Sequence, residues 1–224
     1  MLEPHRELLS TQRIVLASSS PRRKEILTNA RLPSFEVIPA ECEENLDRAA
    51  YADRPMAYAA DTAELKANDV FERLKGERDT NKSGLIVIGS DTVVALDGKI
   101  YGKPKSAGEA SEMLRTLSGR EHQVHSGVSV IWYRQNGDEE QTSSKKFSEG
   151  TSVKFADLAD KVIEGYVATG EPMDKAGAYG IQAVGGTLVE GIAGDFYNVM
   201  GFPLHRFCAE LVKWIHEKRL CDFH

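Results

Sequence analysis

Hydrophobic and polar positions along the chain change period several times, and each change predicts an element. RIVLA (13–17) is a short apolar run that reads as a buried strand. Pro21 then opens a helix with Ser20 at its N-cap, because proline lacks a donor that the first turn would leave unpaired. SFEVIPA (34–40) predicts a second strand, and the alanine-rich periodic stretch from Pro55 to Leu74 predicts a long helix ended by a polar linker over 75–84. LIVIG (85–89) is apolar throughout, as in a central strand, and Asp97-Gly98 between two apolar runs predicts a type I′ hairpin. Residues 106–117 read as a helix. Two long antiparallel strands follow, joined near Asn136-Gly137, and then a helix in DLADKVIEGYVATG after an aspartate N-cap. A glycine-rich stretch over 177–201 precedes an amphipathic helix over roughly 203–217. Strands and helices alternate first and a hairpin dominates the middle, which predicts a mixed α/β sheet.

Composition narrows the class. The chain has 224 residues, 41% of them hydrophobic, enough for an ample core, and neither a repeat nor a low-complexity tract interrupts it. A single domain over 1–224 is expected, with 1–12 and 218–224 as flexible termini. A net charge of -6 argues against a general nucleic-acid or anionic-membrane binder, so any basic patch must be local. Cys42, Cys208 and Cys221 lack a Cys-x-x-Cys pair and read as reduced thiols. With neither a signal-peptide core nor an apolar run near the roughly 18 residues of a membrane span, a cytoplasmic protein is expected.

Candidate chemistry begins at ASSSPRRKEIL (17–27). Arg22, Arg23 and Lys24 crowd a helix end that is already positive, where each cation is disfavoured by roughly 0.3–1 kcal/mol. Such a conflict fits a polyphosphate site, since guanidinium groups grip phosphate oxygens in pairs and the helix end adds oriented N–H groups. Asp91, after the apolar run in GSDTVV, is placed at a strand exit, where a carboxylate can bind a divalent cation or act as a base on water. Lys103 in YGKPKS can lie close to it. Among Glu41, Glu43 and Glu44, one can supply a second metal ligand; Lys66 by default is a surface lysine. Gln182, among the glycines that follow Asp174 and Lys175, carries a donor and an acceptor suited to one edge of a base. P-loop and dinucleotide fingerprints are missing, as is a serine-hydrolase elbow, and His122 and His125 do not form an H-E-x-x-H zinc site.

The blocks LASSSPRRKEIL, IGSDTVV with GKIYGKPKSAGEASEMLRTLSGREHQVHSGVSV, and GYVATGEPMDKAGAYGIQ resemble the Maf family of nucleoside triphosphate pyrophosphatases, from about Ile14 to Phe207. The resemblance implies an elongated mixed sheet flanked by helices, with two lobes around a central cleft, similar to inosine triphosphate pyrophosphatases. It implies Asp91 as proton acceptor; Ser18, Arg22, Arg23, Lys66, Thr92, Lys103 and Gln182 as substrate-binding residues; and Glu43 with Asp91 as ligands of Mg²⁺ or Mn²⁺. Thr92 and Gln182 resemble the branch that cleaves dTTP and UTP to the monophosphate and pyrophosphate. Alternatives are an enzyme acting on 7-methyl-GTP or another modified nucleotide, and a non-catalytic nucleotide-binding regulatory module. Homodimers occur in the family. The polar stretches 75–84 and 133–150 exceed what a compact member requires and are expected in surface loops or a hairpin tip.

Overall fold

Two apolar strands set the frame. β1 (Gln12–Ala17) and the first half of β3 (Gly84–Leu96) pair in parallel, from Gln12↔Gly84 to Ala17↔Gly89. Both are buried nearly throughout because helices cover the sheet on each side. The computed structural model describes residues 1–77 and 82–217, and its seven-stranded mixed sheet runs in the order β2 (Phe35–Val37), β1, β3, β5 (Glu121–Asn136), β6 (Glu139–Phe155) and β7 (Val189–Ala193), with β4 (Lys99–Tyr101) paired to β3 beside this path. β2 (Phe35–Val37) is shorter than SFEVIPA suggested. β4 (Lys99–Tyr101) folds back on β3 through Asp97 and Gly98, both at positive φ as a type I′ turn needs. β5 and β6 form the long hairpin; the polar stretch 133–150, expected in a loop or hairpin tip, lies almost wholly in these paired strands, with only 137–138 between them, and β7 closes the far edge.

The helices are α1 (Arg6–Ser10), α2 (Pro21–Asn29), α3 (Pro55–Leu74), α4 (Ala107–Leu117), α5 (Asp160–Ala168), α6 (Phe196–Met200) and α7 (Leu204–Glu217). Strand alternation divides the core. Ile14, Leu16, Ile86 and Ile88 pack with α2 and α7, while Val15, Ala17, Leu85 and Val87 pack on α3. Leu211, Trp214 and Ile215 bury the apolar stripe of α7, each worth roughly 1.5–3 kcal/mol relative to exposure. A separate cluster under α4 and α5, built on Val94, Leu96, Val124, Val153 and Phe155, forms the core of the other half.

Close approach of α3 to the sheet depends on two glycines. A Cβ at Gly89 would lie 2.2 Å from the Ala63 carbonyl oxygen, and one at Gly127 would lie 2.2 Å from the Ala59 carbonyl group. Alanines on the helix and glycines on β3 and β5 thus bring the two backbones together, which sets how near Lys66 comes to the sheet.

Some expectations change. Residues 1–12 are not a loose end: Leu2 and Leu9 are buried in the main core. Ala159 rather than an aspartate stands at the N-cap of α5, with Asp160 in the first turn, where the helix dipole favours a carboxylate. The glycine-rich stretch holds β7 and α6, which no hydrophobic period announced. Cys42 and Cys208 are free thiols, whereas Cys221, residues 218–224 and part of the 75–84 linker lie outside the described residues. No described helix is long and apolar enough to cross a membrane.

Candidate active site

Along its outer edge β3 pairs with β1 as far as Gly89 and with β4 from Val94 onward. The four residues between, Ser90 to Val93, have no strand partner on that side among the described residues, and a cavity of about 330 Å³ opens there. Asp91 therefore lies inside a continuous strand rather than at a strand exit. It is the departure of β1 that exposes it.

Adjacent strand residues point to opposite faces, so the cavity is served from both. On the α3 side, Lys66 Nζ donates to Asp91 Oδ1 at 2.7 Å and lies 3.0 Å from Glu44 Oε1. The two carboxylates thus converge on one cationic centre. On the other side, Thr92 Oγ1 accepts from Arg23 Nη2 at 3.1 Å and lies 2.8 Å from Ser126 Oγ and 3.2 Å from the Gly201 carbonyl oxygen, its single proton serving one of the two. Arg23 also donates to the Gly201 carbonyl at 2.9 Å and to Ser18 Oγ at 3.0 Å. Each of these acceptors is neutral. Desolvation pulls the Arg23 guanidinium below its ordinary pKa, and Asp91 offsets part of that.

Ser18, Arg22, Arg23, Lys66, Asp91, Thr92, Lys103 and Gln182 all line this cavity, so eight of the nine residues singled out in the sequence meet in one place. Glu43 does not: it is outside the lining, and Glu44, though itself half exposed, is the one that lines the cavity and reaches Lys66. One step along an irregular acidic segment exchanges the two, and no period in the sequence fixes which one turns inward. Ser20 holds the N-cap position of α2 without a side-chain capping bond; its N–H instead donates to Ser18 Oγ at 3.2 Å. The side chain therefore leaves the first-turn donors of α2 uncapped at the cavity wall.

Arg22 reaches across to the loop after α5, donating to Asp174 Oδ2 at 2.7 Å and to the Asp174 carbonyl at 3.1 Å. Lys175, buried, donates to Asp174 Oδ1 at 2.7 Å. Burial raises the Asp174 pKa, but the hydrogen bonds from Lys175 and Arg22 outweigh it and hold the carboxyl below its ordinary value. The loop itself hangs on Glu171, whose part no motif or period in the sequence announces. Its carboxylate accepts from the Tyr166 hydroxyl at 2.9 Å and from the N–H groups of Val184 and Gly185 at 3.2 and 3.1 Å, bracketing Gln182. Within that bracket the Gln182 Oε1 is buried with no hydrogen-bond partner among the described residues. Arg48 and Tyr58 also line the cavity and belonged to no recognisable motif.

Charge makes the site unlike the rest of the surface. Six cations (Arg22, Arg23, Arg48, Lys66, Lys103 and Lys175) line it against three carboxylates (Glu44, Asp91 and Asp174), a surplus of three in a chain of net charge -6. Low-dielectric walls concentrate such a field, so the cavity is built for a small, multiply charged anion. Among the described residues no group of three or more His, Cys, Asp or Glu side chains forms a protein-only metal cage.

Residues 13–214 match the family model described as Maf-like protein. The chain belongs to the Maf-like family. Its human relative, a "Probable bifunctional dTTP/UTP pyrophosphatase/methyltransferase protein", is 48% identical over 208 residues, 93% of this chain but 33% of that protein. This chain therefore spans a third of the human protein. The dTTP/UTP pyrophosphatase of Thermococcus gammatolerans is 46% identical over 191 residues, 85% of this chain and 91% of that one. That of Bacillus mycoides is 43% identical over 200 residues, 89% and 94% of the two chains. The Maf-like match spans both halves of the sheet and every residue lining the cavity.

Proposed function

We propose that this chain hydrolyses dTTP and UTP between the α and β phosphates, releasing the monophosphate and pyrophosphate. The observation that carries the reading is the surplus of three positive charges around Asp91 in an acidic protein. A nucleoside triphosphate of comparable negative charge would satisfy it. The names of the archaeal and bacterial relatives, matched over nine-tenths of their length, agree.

In this mechanism Asp91 keeps one carboxylate oxygen on Lys66 and turns the other to water. It orients the water and takes its proton, a role worth typically 10²–10⁴ in rate. Arg22, Lys103 and Lys66 face the phosphoryl oxygens and the pyrophosphate as it departs, the preorganised charge on which such reactions depend. Arg23 acts one step back, fixing Ser18 and Thr92 at the cavity wall. The paired carboxylates meeting on Lys66 suit a hard divalent cation completed by water and phosphate oxygens, so Asp91 and Glu44 would hold Mg²⁺ or Mn²⁺. When bound, that ion supplies charge neutralisation on the phosphate oxygens.

Gln182 reads the base. An unpaired buried carbonyl oxygen costs roughly 1–3 kcal/mol, and the N3–H of uracil or thymine removes that cost. Cytosine has no N3–H and is disfavoured. A 5-methyl group alters the preference by only about 1–3 kcal/mol, so dTTP and UTP are both accepted.

The purified chain incubated with dTTP, UTP, dCTP and 7-methyl-GTP and a divalent cation tests the reading. Pyrophosphate is expected from dTTP and UTP and is lost with a chelator. Turnover confined to 7-methyl-GTP, or binding of every nucleotide without release of pyrophosphate, overturns it.

A further inference from the structure

The six cations of the cavity fall into two groups. Arg22 and Lys175 share Asp174, and Lys66 sits between Asp91 and Glu44. Arg48 has no carboxylate partner among the described residues. It is nonetheless seated: its Nε donates to the Tyr58 hydroxyl at 3.3 Å and its Cζ lies 6.0 Å from the Tyr58 ring centroid. The fork of the guanidinium rests on Gly102, where a Cβ would stand 2.4 Å from Nη2 and 2.8 Å from Cζ. Gly102 is itself pinned, its carbonyl accepting from the Gly177 N–H at 3.1 Å. The next residue, Lys103, likewise lines the cavity without a carboxylate partner among the described residues, as does Arg23, whose fork is taken up by neutral acceptors.

An arginine held through Nε and its ring contact, with both Nη groups uncommitted at a cavity wall, is equipped to take two oxygens of one phosphoryl group. A triphosphate carries most of its charge at the terminal end, and the pyrophosphate that leaves gains more. We propose that Arg48 is a substrate-binding residue that grips the β- and γ-phosphoryl oxygens, and that Gly102 is a glycine because any side chain there would unseat it. The proposal deepens the pyrophosphatase reading and rests on it. It adds to that reading a cation from the segment between β2 and α3, whose other charged lining residue is Glu44.

The test compares the wild-type full chain with Arg48→Ala, Arg48→Lys and Gly102→Ala. Wild-type turnover of dTTP judges the pyrophosphatase reading by itself. In Arg48→Ala the KM for dTTP rises about tenfold or more, the size expected for a lost charge-assisted pair. Inhibition by pyrophosphate weakens by a similar factor, while inhibition by dTMP changes less than twofold. Arg48→Lys recovers part of the loss, since charge remains but the fork does not, and Gly102→Ala reproduces the Arg48→Ala pattern. Equal weakening of pyrophosphate and dTMP, or no change in either, overturns the assignment. If the wild type turns over no triphosphate, the pyrophosphatase reading fails, and calorimetric titration with pyrophosphate still judges Arg48: it must bind the wild type and lose affinity in Arg48→Ala, or the assignment fails too.

Discussion

Asp91 and Thr92 are neighbours on one strand, yet the two faces they serve are built on different physics. The Asp91 face is ionic: a lysine between two carboxylates, partly open to solvent, with a spare carboxylate oxygen. The Thr92 face is a closed hydrogen-bond chain running from Arg23 through Thr92 and Ser126 to the Asn198 carbonyl, with neutral acceptors throughout. Ion pairs near water cost little to rearrange, whereas a buried polar chain is costly to leave half made. The first face can exchange partners when substrate arrives. The second cannot, and it keeps the wall in place while the first does so.

Substitutions on each face should separate these roles, and the largest effect is expected at Asp91. Asp91→Asn keeps the shape and a hydrogen bond to Lys66 but loses the base, so dTTP turnover should fall by about 10²–10⁴. Near wild-type turnover would remove Asp91 from the chemistry. Next is Gly127→Ala, which drives a methyl group into the Ala59 backbone and pushes α3, with Lys66, off the sheet. Overpacking of this kind costs roughly 1–3 kcal/mol, and denaturant unfolding should show it, together with a raised KM. A substitution tolerated without loss would mean that the position of α3 is not set by this contact.

The closed face gives a smaller effect of the opposite character. Thr92→Val preserves volume but takes an acceptor from Arg23 and a donor from either Ser126 Oγ or the Gly201 carbonyl, a loss of about 1–3 kcal/mol in denaturant unfolding. Unchanged stability would show that the chain of hydrogen bonds does not hold the wall. The smallest change concerns choice of base. Gln182→Glu places a carboxylate beside the pyrimidine carbonyls, and the kcat/KM for dTTP and UTP should drop about tenfold, a loss of roughly 1–2 kcal/mol. An unaltered substrate profile would count against base reading by Gln182.

Much of this was legible in the sequence because it depends on short-range pattern. The strand, turn and α2 onset at 13–22, the span of α3 from Pro55 to Leu74 and the Asp97-Gly98 turn follow from apolar period, proline and positive-φ dipeptides. The site residues stood out where local chemistry conflicted with local structure, as with cations at the start of α2. Which of Glu41, Glu43 and Glu44 reaches the site was not legible, and neither was Arg48. Glu44 and Arg48 lie in a segment that carries no period, both remain exposed, and what seats each at the cavity rim is a contact outside that segment: Lys66 for one, Tyr58 and Gly102 for the other. β7 and α6 were missed for a related reason, since glycines masked the pattern and long-range pairing with β6 supplied the order.

By itself, then, the sequence determined the sequence of elements, the class of sheet and the set of charges gathered for an anion, because these are written in local periodicity and residue type. Only the tertiary structure decided that β1 and β4 leave a gap along β3, that Asp91 and Thr92 divide that gap into an ionic and a closed face, and which acidic and basic residues complete it. Those outcomes depend on where strands stop pairing and how closely a helix can approach, which are properties of contacts between distant segments.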